Sequence, residues 1–208
     1  MATTPTISEL QRTAPLFTLT LQQYHALTES GILPDGEPVE FIEGLLVRKD
    51  RSDRGGNLLN HGVRHATGVK RGARVIERAT HDLSVHVQVQ LPVTLSNLSE
   101  PEPDYCLVKG LPEDFAHAHP SPRDLLLVVE VADSSLSYDR TTKCRVYASA
   151  GVSCYWIVNL VSDCVEVFTD PDTAEGSYRT HRTFPRGAML EIPLGDGASR
   201  QISVDDIV

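Results

Sequence analysis

The strongest constraint on the fold is an unbroken apolar run, Leu125 to Val131, that carries one acidic residue, Glu130. A strand with one wet face alternates apolar and polar side chains, so this run predicts a central strand covered on both faces. A carboxylate inside such a strand must be paired with a cation, protonated or bound to a metal ion. The run therefore predicts a central strand and, within it, a candidate functional group.

Short helical and strand-like segments alternate along the rest of the chain. Leu21, Tyr24 and Leu27 recur at a spacing of three and predict a short helix between Thr18 and Gly31. The other predicted elements are a hairpin at 39–42 and 45–49, a flexible loop at 50–60, a helix at 61–79, a strand at 85–91 extended to 95, strands at 105–108, 155–158 and 165–169, a helix capped by Asp139 and ending near Ala150, and strand-like pieces at 178–208. This order predicts an α/β or α+β domain with helices flanking a mixed sheet.

Charge and composition narrow the class of protein. Nineteen Lys and Arg against 28 Asp and Glu leave a net charge of −9, which argues against coating nucleic acid through bulk positive charge. No stretch approaches the roughly 20 apolar residues of a membrane helix, and the first residues lack the pattern of a signal peptide. We therefore expect a cytoplasmic protein with a loose leader at 1–16 and one domain at 17–208. The four cysteines form no close pair and are interpreted as reduced thiols rather than zinc ligands.

Three further residues can join Glu130 in a site. Asp104 stands immediately before a short apolar run. Its carboxylate, like that of Glu130, must therefore be paired with a cation, protonated or bound to a metal ion. Asp139 and Lys143 are four apart on a predicted helix, hence on one face. Two carboxylates and one amine can hold a divalent cation through oxygen ligands and place a positive charge beside an attacking water. The alternative is structural, with ion pairs for the buried carboxylates and an Asp139 that only caps its helix and pairs with Lys143.

The same residues carry a family resemblance. Pro103-Asp104, Glu130-Val131-Ala132, Asp139-Arg140-Thr141-Thr142-Lys143 and the run from Tyr147 to Val158 resemble a large bacterial family of restriction endonucleases with the PD-(D/E)XK nuclease fold. The segment from Val39 to Gly44 looks like the opening hairpin of that family. The resemblance covers about residues 18 to 170 of the chain. It implies a restriction-endonuclease-like three-layer core, a mixed central β-sheet flanked by helices, with an extra N-terminal hairpin and C-terminal strands.

The resemblance also implies a metal-dependent phosphodiesterase site. Carried over by position, Asp104 and Glu130 would be the ligands of Mg²⁺ or Mn²⁺, and Lys143 would orient or activate the attacking water. Glu40 matches an acidic residue of the family and would add a ligand or a water contact. The superfamily usually has a lysine where this chain has Ala132, so activity requires Lys143 to take over that role.

The family resemblance also implies how the protein would contact its substrate. His61 and His65 fall where the family tends to show a histidine at the start of its second helix, and either would contact phosphate or a catalytic water. We expect a DNA substrate bound weakly along a local basic rim, and a two-fold homodimer. The rim would come from two clusters, which can also be ordinary solvated surface: Arg48, Lys49, Arg51 and Arg54, and Arg64, Lys70, Arg71, Arg74 and Arg78.

Two other functions stay open from the sequence. A nuclease scaffold can lose its activity and serve as a binding or assembly module, because fold does not determine function. A glycosidase can use two carboxylates, but Lys143 and the low aromatic content, 6% of the chain, make a sugar-binding cleft less attractive.

Overall fold

The structure is a computed structural model that describes residues 16–34, 36–49 and 58–208, with side chains in the last range from residue 62 onward. The predicted leader at 1–16 lies outside the described residues except for residue 16. The predicted loop at 50–60 also lies outside them, except for its last three residues, which are helical.

Helices and strands follow one another in the order expected for a mixed fold. The helices are α1 (Leu21–Glu29), α2 (Leu58–Thr80), α3 (Leu136–Tyr138) and α4 (Cys144–Ser149), with a π-helical turn (Asp139–Lys143) joining the last two. We call the continuous segment from α3 through the π turn to α4 the composite helix. The strands are β1 (Val39–Ile42), β2 (Leu45–Arg48), β3 (Val85–Val89), β4 (Tyr105–Lys109), β5 (Leu125–Ala132), β6 (Cys154–Asn159), β7 (Cys164–Asp172), β8 (Ser177–Pro185), β9 (Met189–Gly195) and β10 (Ala198–Ser203).

Six strands form the central sheet, in the order β3-β4-β5-β6-β7-β8. Every neighbouring pair is antiparallel except β5 and β6, which run parallel with Glu130 opposite Ile157. A parallel pair needs a crossover connection, and the composite helix supplies it between β5 and β6. Hairpins β1-β2 and β9-β10 lie outside this sheet. The mixed α+β architecture predicted from the sequence is confirmed.

The two faces of the sheet bury two separate apolar clusters. On one face, Val129 and Val131 of β5 pack in a cluster with α2 and the β9-β10 hairpin. On the other face, Val128 and Ala132 pack in a cluster with the composite helix. Side chains alternate along a strand, so Glu130 must lie on the same face as Val128 and Ala132, beneath the composite helix. This places the acidic residue of the apolar run between sheet and helix.

Two predicted boundaries are wrong. The predicted strand at 85–95 ends at Val89, because Gln90 takes a left-handed backbone conformation with φ +49° and Pro92 has no N–H for a ladder. The composite helix begins at Leu136 with Ser135 at its N-cap position. Asp139 therefore lies inside the helical segment and does not cap it.

Other local predictions are confirmed. Thr20 caps α1, and its side chain and that of Gln23 form a reciprocal capping box. The composite helix ends at Ser149, and Gly151 follows with φ +79°, the left-handed conformation that glycine adopts most readily. The four cysteines are free thiols. No helix in the described part of the chain is both long and apolar enough to cross a membrane.

Candidate active site

Asp104 and Glu130 are neighbours at one end of the central sheet. Asp104 immediately precedes β4, and the β4-β5 register pairs Tyr105 with Val129, which brings Asp104 opposite Glu130. The Asp104 N–H lies 3.4 Å from Glu130 Oε2. Both residues are buried, with 9% of Asp104 and 6% of Glu130 exposed. The sheet register thus places two buried carboxylates side by side.

Three groups orient the Asp104 carboxylate. Its Oδ2 accepts a hydrogen bond from the Val131 N–H at 2.8 Å and lies 2.9 Å from Nε2 of His65 on α2. Its Oδ1 makes only a long contact, 3.5 Å, with the Gln90 amide. The hydrogen bond with Asp104 raises the pKa of His65, although partial burial acts in the opposite direction. One oxygen of Asp104 is therefore held firmly, and the other is left with a weak partner.

Lys143 supplies the positive charge of the site from the π turn. Its Nζ donates to Glu40 Oε1 at 2.6 Å and to Glu130 Oε1 at 2.9 Å. Only 3% of Lys143 is exposed. Burial alone would lower its pKa, but the carboxylates of Glu130 and Glu40 outweigh it and raise the pKa above the ordinary value. The lysine is therefore a buried ammonium that bridges two acidic residues far apart in sequence.

Glu40 enters the site from the N-terminal hairpin. It lies on β1, is 6% exposed, and its Oε1 also accepts a hydrogen bond from the Glu102 N–H at 2.9 Å. The hairpin is thus tied to the sheet end by the Glu40–Lys143 ion pair and by this backbone contact. We call Glu40, Asp104, Glu130 and Lys143 together the carboxylate–lysine site.

Asp139 faces the same region without capping a helix. It is 3% exposed, and the Ser135 hydroxyl donates to its Oδ2. Its negative charge contributes to raising the pKa values of both Glu130 and His65. Asp139 therefore adds negative charge around the carboxylate–lysine site from the start of the π turn.

Two contact residues were missed by the sequence reasoning. Tyr147 is fully buried, and its hydroxyl donates to Glu130 Oε1 at 2.7 Å. Its spacing of four from Lys143 on the helix is the signal that could have found it. Gln90 reaches Asp104 only because the chain turns at the end of β3, and no sequence pattern indicates that contact.

The site holds more negative than positive charge. Burial, opposed by Lys143 and reinforced by Asp104, Asp139 and Glu40, raises the pKa of Glu130 to about 8. Among the described residues, no three His, Cys, Asp or Glu side chains already converge as a complete metal shell. The donor chemistry nevertheless fits a hard divalent cation, because Asp104 Oδ1 and Glu130 Oε2 are carboxylate oxygens with only long contacts, 3.5 and 3.4 Å. Waters would have to complete the coordination shell.

The predicted site residues are therefore largely brought together. Asp104, Glu130, Lys143, Glu40 and His65 form one network of direct contacts. The side chain of His61 lies outside those that the structure describes, so its predicted contact stays a prediction.

The two predicted basic clusters differ in what they contact. In the first, Arg48 lies 3.6 Å from Glu37 and Lys49 pairs with Glu102, while Arg51 and Arg54 lie outside the described residues. In the second cluster, four residues of α2 border a cleft of ≈ 840 Å³, which is lined by Thr67, Lys70, Arg71, Arg74, Val75, Arg78, Ala79 and Asp206. The remaining member, Arg64, instead donates to the Leu160 carbonyl at 2.7 Å.

Comparison with known proteins agrees with this architecture. The mixed α+β fold is similar to that of a crystal structure described as a putative nuclease belonging to DUF820, from Anabaena variabilis ATCC 29413, with a TM-score of 0.62 and 17% sequence identity over 91% of this chain and 97% of that chain. The chain belongs to the Uma2 family, described as "Putative restriction endonuclease", whose sequence profile matches residues 21–204. No curated protein matches the chain.

Proposed function

We propose that this protein is a divalent-metal-dependent nuclease that hydrolyses phosphodiester bonds in DNA. The observation that carries the proposal is the meeting of Asp104, Glu130 and Lys143 in one buried site at the end of the central sheet. Burying two carboxylates with a single ammonium is costly, because each ion loses several kcal/mol of hydration. A catalytic role would explain why the protein contains such a costly arrangement. Membership of a nuclease-type family agrees with that role.

Asp104 and Glu130 would hold the metal, Mg²⁺ or Mn²⁺, together with a backbone carbonyl near Val131. When bound, the ion would neutralise charge on the scissile phosphate and act as a Lewis acid. The Val131 N–H and His65 hold Oδ2 of Asp104, so Oδ1 would be the oxygen available to hold the ion. Tyr147 holds Oε1 of Glu130 in the same way and leaves Oε2 as the ligand atom.

Lys143 would orient the attacking water. An ammonium group has three N–H donors, and two of them are directed at Glu40 and Glu130. The third can donate to the water and fix its direction of attack on phosphorus, and the positive charge stabilises negative charge that develops on the phosphate. Glu40 keeps the lysine charged and in place.

The location of Lys143 on the helix matters because the strand residue at the place where the superfamily usually has a lysine is the apolar Ala132. Ala132 is fully buried in the cluster beneath the composite helix, so it can offer no charge to the reaction. Lys143 reaches the Glu130 carboxylate from the helix at 2.9 Å. This contact supports relocation of the catalytic lysine rather than its loss.

DNA would be held mainly along the exposed face of α2. Lys70, Arg74 and Arg78 recur one helical turn apart and border the cleft beside that helix. Cations that neutralise phosphates give sequence-independent affinity that falls as salt rises. Arg48 and Lys49 contribute less, because acidic neighbours already offset their charges. With a net charge of −9, binding should be weak and confined to this face.

The test is metal-stimulated cleavage of DNA by variants of the site. Asp104→Ala and Glu130→Ala should abolish cleavage with Mg²⁺ or Mn²⁺ while the circular dichroism spectrum is retained. Glu191→Gln, which alters an exposed carboxylate on β9, is the matched control and should cleave like the wild type. Single-stranded and duplex RNA, tested in parallel, identify the substrate class.

Calorimetric titration of Mg²⁺ separates a nuclease from an inactive scaffold. Binding that disappears in Glu130→Gln supports the proposed ligand set. A folded wild type that neither binds the ion nor cleaves DNA would instead be a binding or assembly module on a nuclease fold.

A further inference from the structure

The two outer edges of the central sheet differ in charge. β8, at one edge, carries Arg179, His181 and Arg182. β3, at the other, lies in a stretch from residue 83 to residue 99 that contains no Asp, Glu, Lys or Arg. Proteins usually protect an open edge with charges, prolines or bulges, because its free backbone groups invite another strand. The β3 edge has no charged side chain and no proline within the strand.

The backbone groups on this edge point away from the sheet. The Gln90 N–H donates to the Asp104 carbonyl, and the Gly110 N–H donates to the Ser84 carbonyl. In an antiparallel ladder these directions alternate from residue to residue, so even-numbered positions of β3 face β4. The odd-numbered positions face outward, and among the described residues no strand pairs with them. Their N–H and C=O groups belong to three valines: Val85, Val87 and Val89.

We propose that β3 pairs antiparallel with β3 of a second copy of this chain, about a two-fold axis at Val87. On one face the pairing matches Val85 with Val89 of the partner subunit and Val87 with the partner's Val87, and on the other face it places His86 opposite the partner's Gln88. No Asp, Glu, Lys or Arg side chain therefore meets another across the axis. Three hydrogen-bonded pairs of this kind exchange about six hydrogen bonds. No like charges oppose one another, whereas the same pairing of β8 would crowd arginine and histidine side chains together.

Exposed leucines at the two ends of the strand strengthen the self-complementarity. Leu111 follows the end of β4 beside the start of β3 and is 51% exposed, and Leu91 follows the other end of β3 and is 54% exposed. An antiparallel arrangement brings the start of one β3 beside the end of the other. With Val87 on the axis, Leu91 of the partner subunit falls opposite Leu83, and Leu111 lies one strand farther away on the same copy as Leu83. The pairing would therefore bury apolar surface at both ends of the strand pair.

The pairing would join two sheets into one of 12 strands, since each copy contributes six. The carboxylate–lysine site begins one strand inside the edge, where Asp104 bonds with Gln90 just beyond β3. With strands ~4.8 Å apart and a rise of ~3.4 Å per residue, the two Asp104 residues would lie about 25 Å apart, related by the two-fold axis. The dimer goes beyond the proposed nuclease activity and does not depend on it.

Analytical ultracentrifugation at micromolar concentration tests the dimer. We expect the wild type to sediment at about twice the chain mass of 22.8 kDa. Val89→Lys adds a cation to the edge at a residue that is already 39% exposed, and should sediment as a monomer with an unchanged circular dichroism spectrum. Val161→Lys makes the same change at an exposed turn, 61% exposed, and should stay dimeric.

A cysteine at the two-fold axis tests the register directly. Val87 and its partner would have Cα atoms about 5.5 Å apart, within the range that a disulfide requires. Val87→Cys should form a disulfide-linked dimer on mild oxidation, whereas Val85→Cys, on the same face of the same strand, should not.

A monomeric wild type overturns the proposal, as does a dimer that persists in Val89→Lys or a Val87→Cys variant that does not cross-link. If Val89→Lys does not fold, the cross-linking pair decides the matter alone. A monomer that pairs instead with a strand of another protein also counts against a second copy as the occupant of this edge.

Discussion

Replacing Glu130 with glutamine should remove a large part of the pH dependence of stability between about pH 5 and about pH 8. Burial raises the pKa of Glu130 from the ordinary 4.5 to about 8 in the folded protein, although Lys143 partly offsets it. In the unfolded chain the same carboxyl group ionises near its ordinary value. Between these two values the folded state binds more protons than the unfolded state, so the free energy of unfolding must fall as the pH rises.

The magnitude follows from the size of the shift. One pKa unit corresponds to 1.36 kcal/mol, so a shift from 4.5 to about 8 is equivalent to up to about 5 kcal/mol. That is a large share of the ~5–15 kcal/mol that stabilises an ordinary domain. This contribution of Glu130 to the free energy of unfolding is fully present below about pH 4. It is lost by about pH 8, where the folded protein must carry the buried carboxylate in its charged form.

Urea unfolding at a series of pH values, in the presence of a chelator, measures this effect. The wild type should lose stability steadily from about pH 5 to about pH 8, and Glu130→Gln should show a much flatter profile. Glu191→Gln, at an exposed position, should follow the wild type. Parallel profiles for the wild type and Glu130→Gln would refute the reasoning, because they would mean that Lys143 keeps Glu130 ionised near its ordinary pKa.

Three further outcomes follow from the structure. Lys143→Met should destabilise the protein by about 3–5 kcal/mol in urea unfolding at about pH 9, where both Glu40 and Glu130 are ionised in the wild type, because it leaves these buried carboxylates without their cation; a loss below about 1 kcal/mol would contradict the buried ion-pair network. Gly72→Ala should lower the melting temperature by an amount equivalent to about 1–3 kcal/mol, because its Cβ would lie 2.2 Å from the Tyr105 hydroxyl, whereas Gly62→Ala meets open space in the same helix and should stabilise it by up to about 1 kcal/mol; equal melting temperatures for the two variants would be the contrary result. Cys106 and Cys154, whose pKa values burial raises to about 12, should react with a thiol reagent at pH 8 only after unfolding, so fast labelling of these two residues in the native protein, located by peptide mapping, would show that their surroundings are open to solvent.

The parts of the fold that the sequence predicted are those that local patterns determine. Leu125 to Val131 became the central strand β5 because continuous apolar surface has to be covered on both faces. Glu130 follows from the same run, since alternation along a strand decides which side chains it joins. The partner of a buried carboxylate can also be predicted when a lysine lies on the helix directly after the strand.

The parts that the sequence did not predict depend on contacts between distant segments or on competing signals. Asp139 was predicted as the N-cap of the composite helix, whereas Ser135 takes that position. The prediction was wrong because a polar residue at a helix start and one inside a buried turn look alike in sequence. The end of β3 was also wrong, because alternation continued beyond Gln90 while its backbone turned. The approach of Gln90 and His65 to Asp104 comes from segments 14 and 39 residues away, which no local period records.

The position of the lysine is better explained by charge balance than by reach alone. A lysine at the Ala132 position would lie on the sheet face beside Glu130, where Val128 and Ile157 form an apolar cluster. From the π turn, the ammonium instead approaches the far side of the Glu130 carboxylate and meets Glu40 on the hairpin as well. One lysine then neutralises part of two buried acids and joins hairpin, helix and sheet. A lysine on the strand would leave Glu40 without a cation, so the lysine on the helix and the buried acid on the hairpin depend on each other for charge balance.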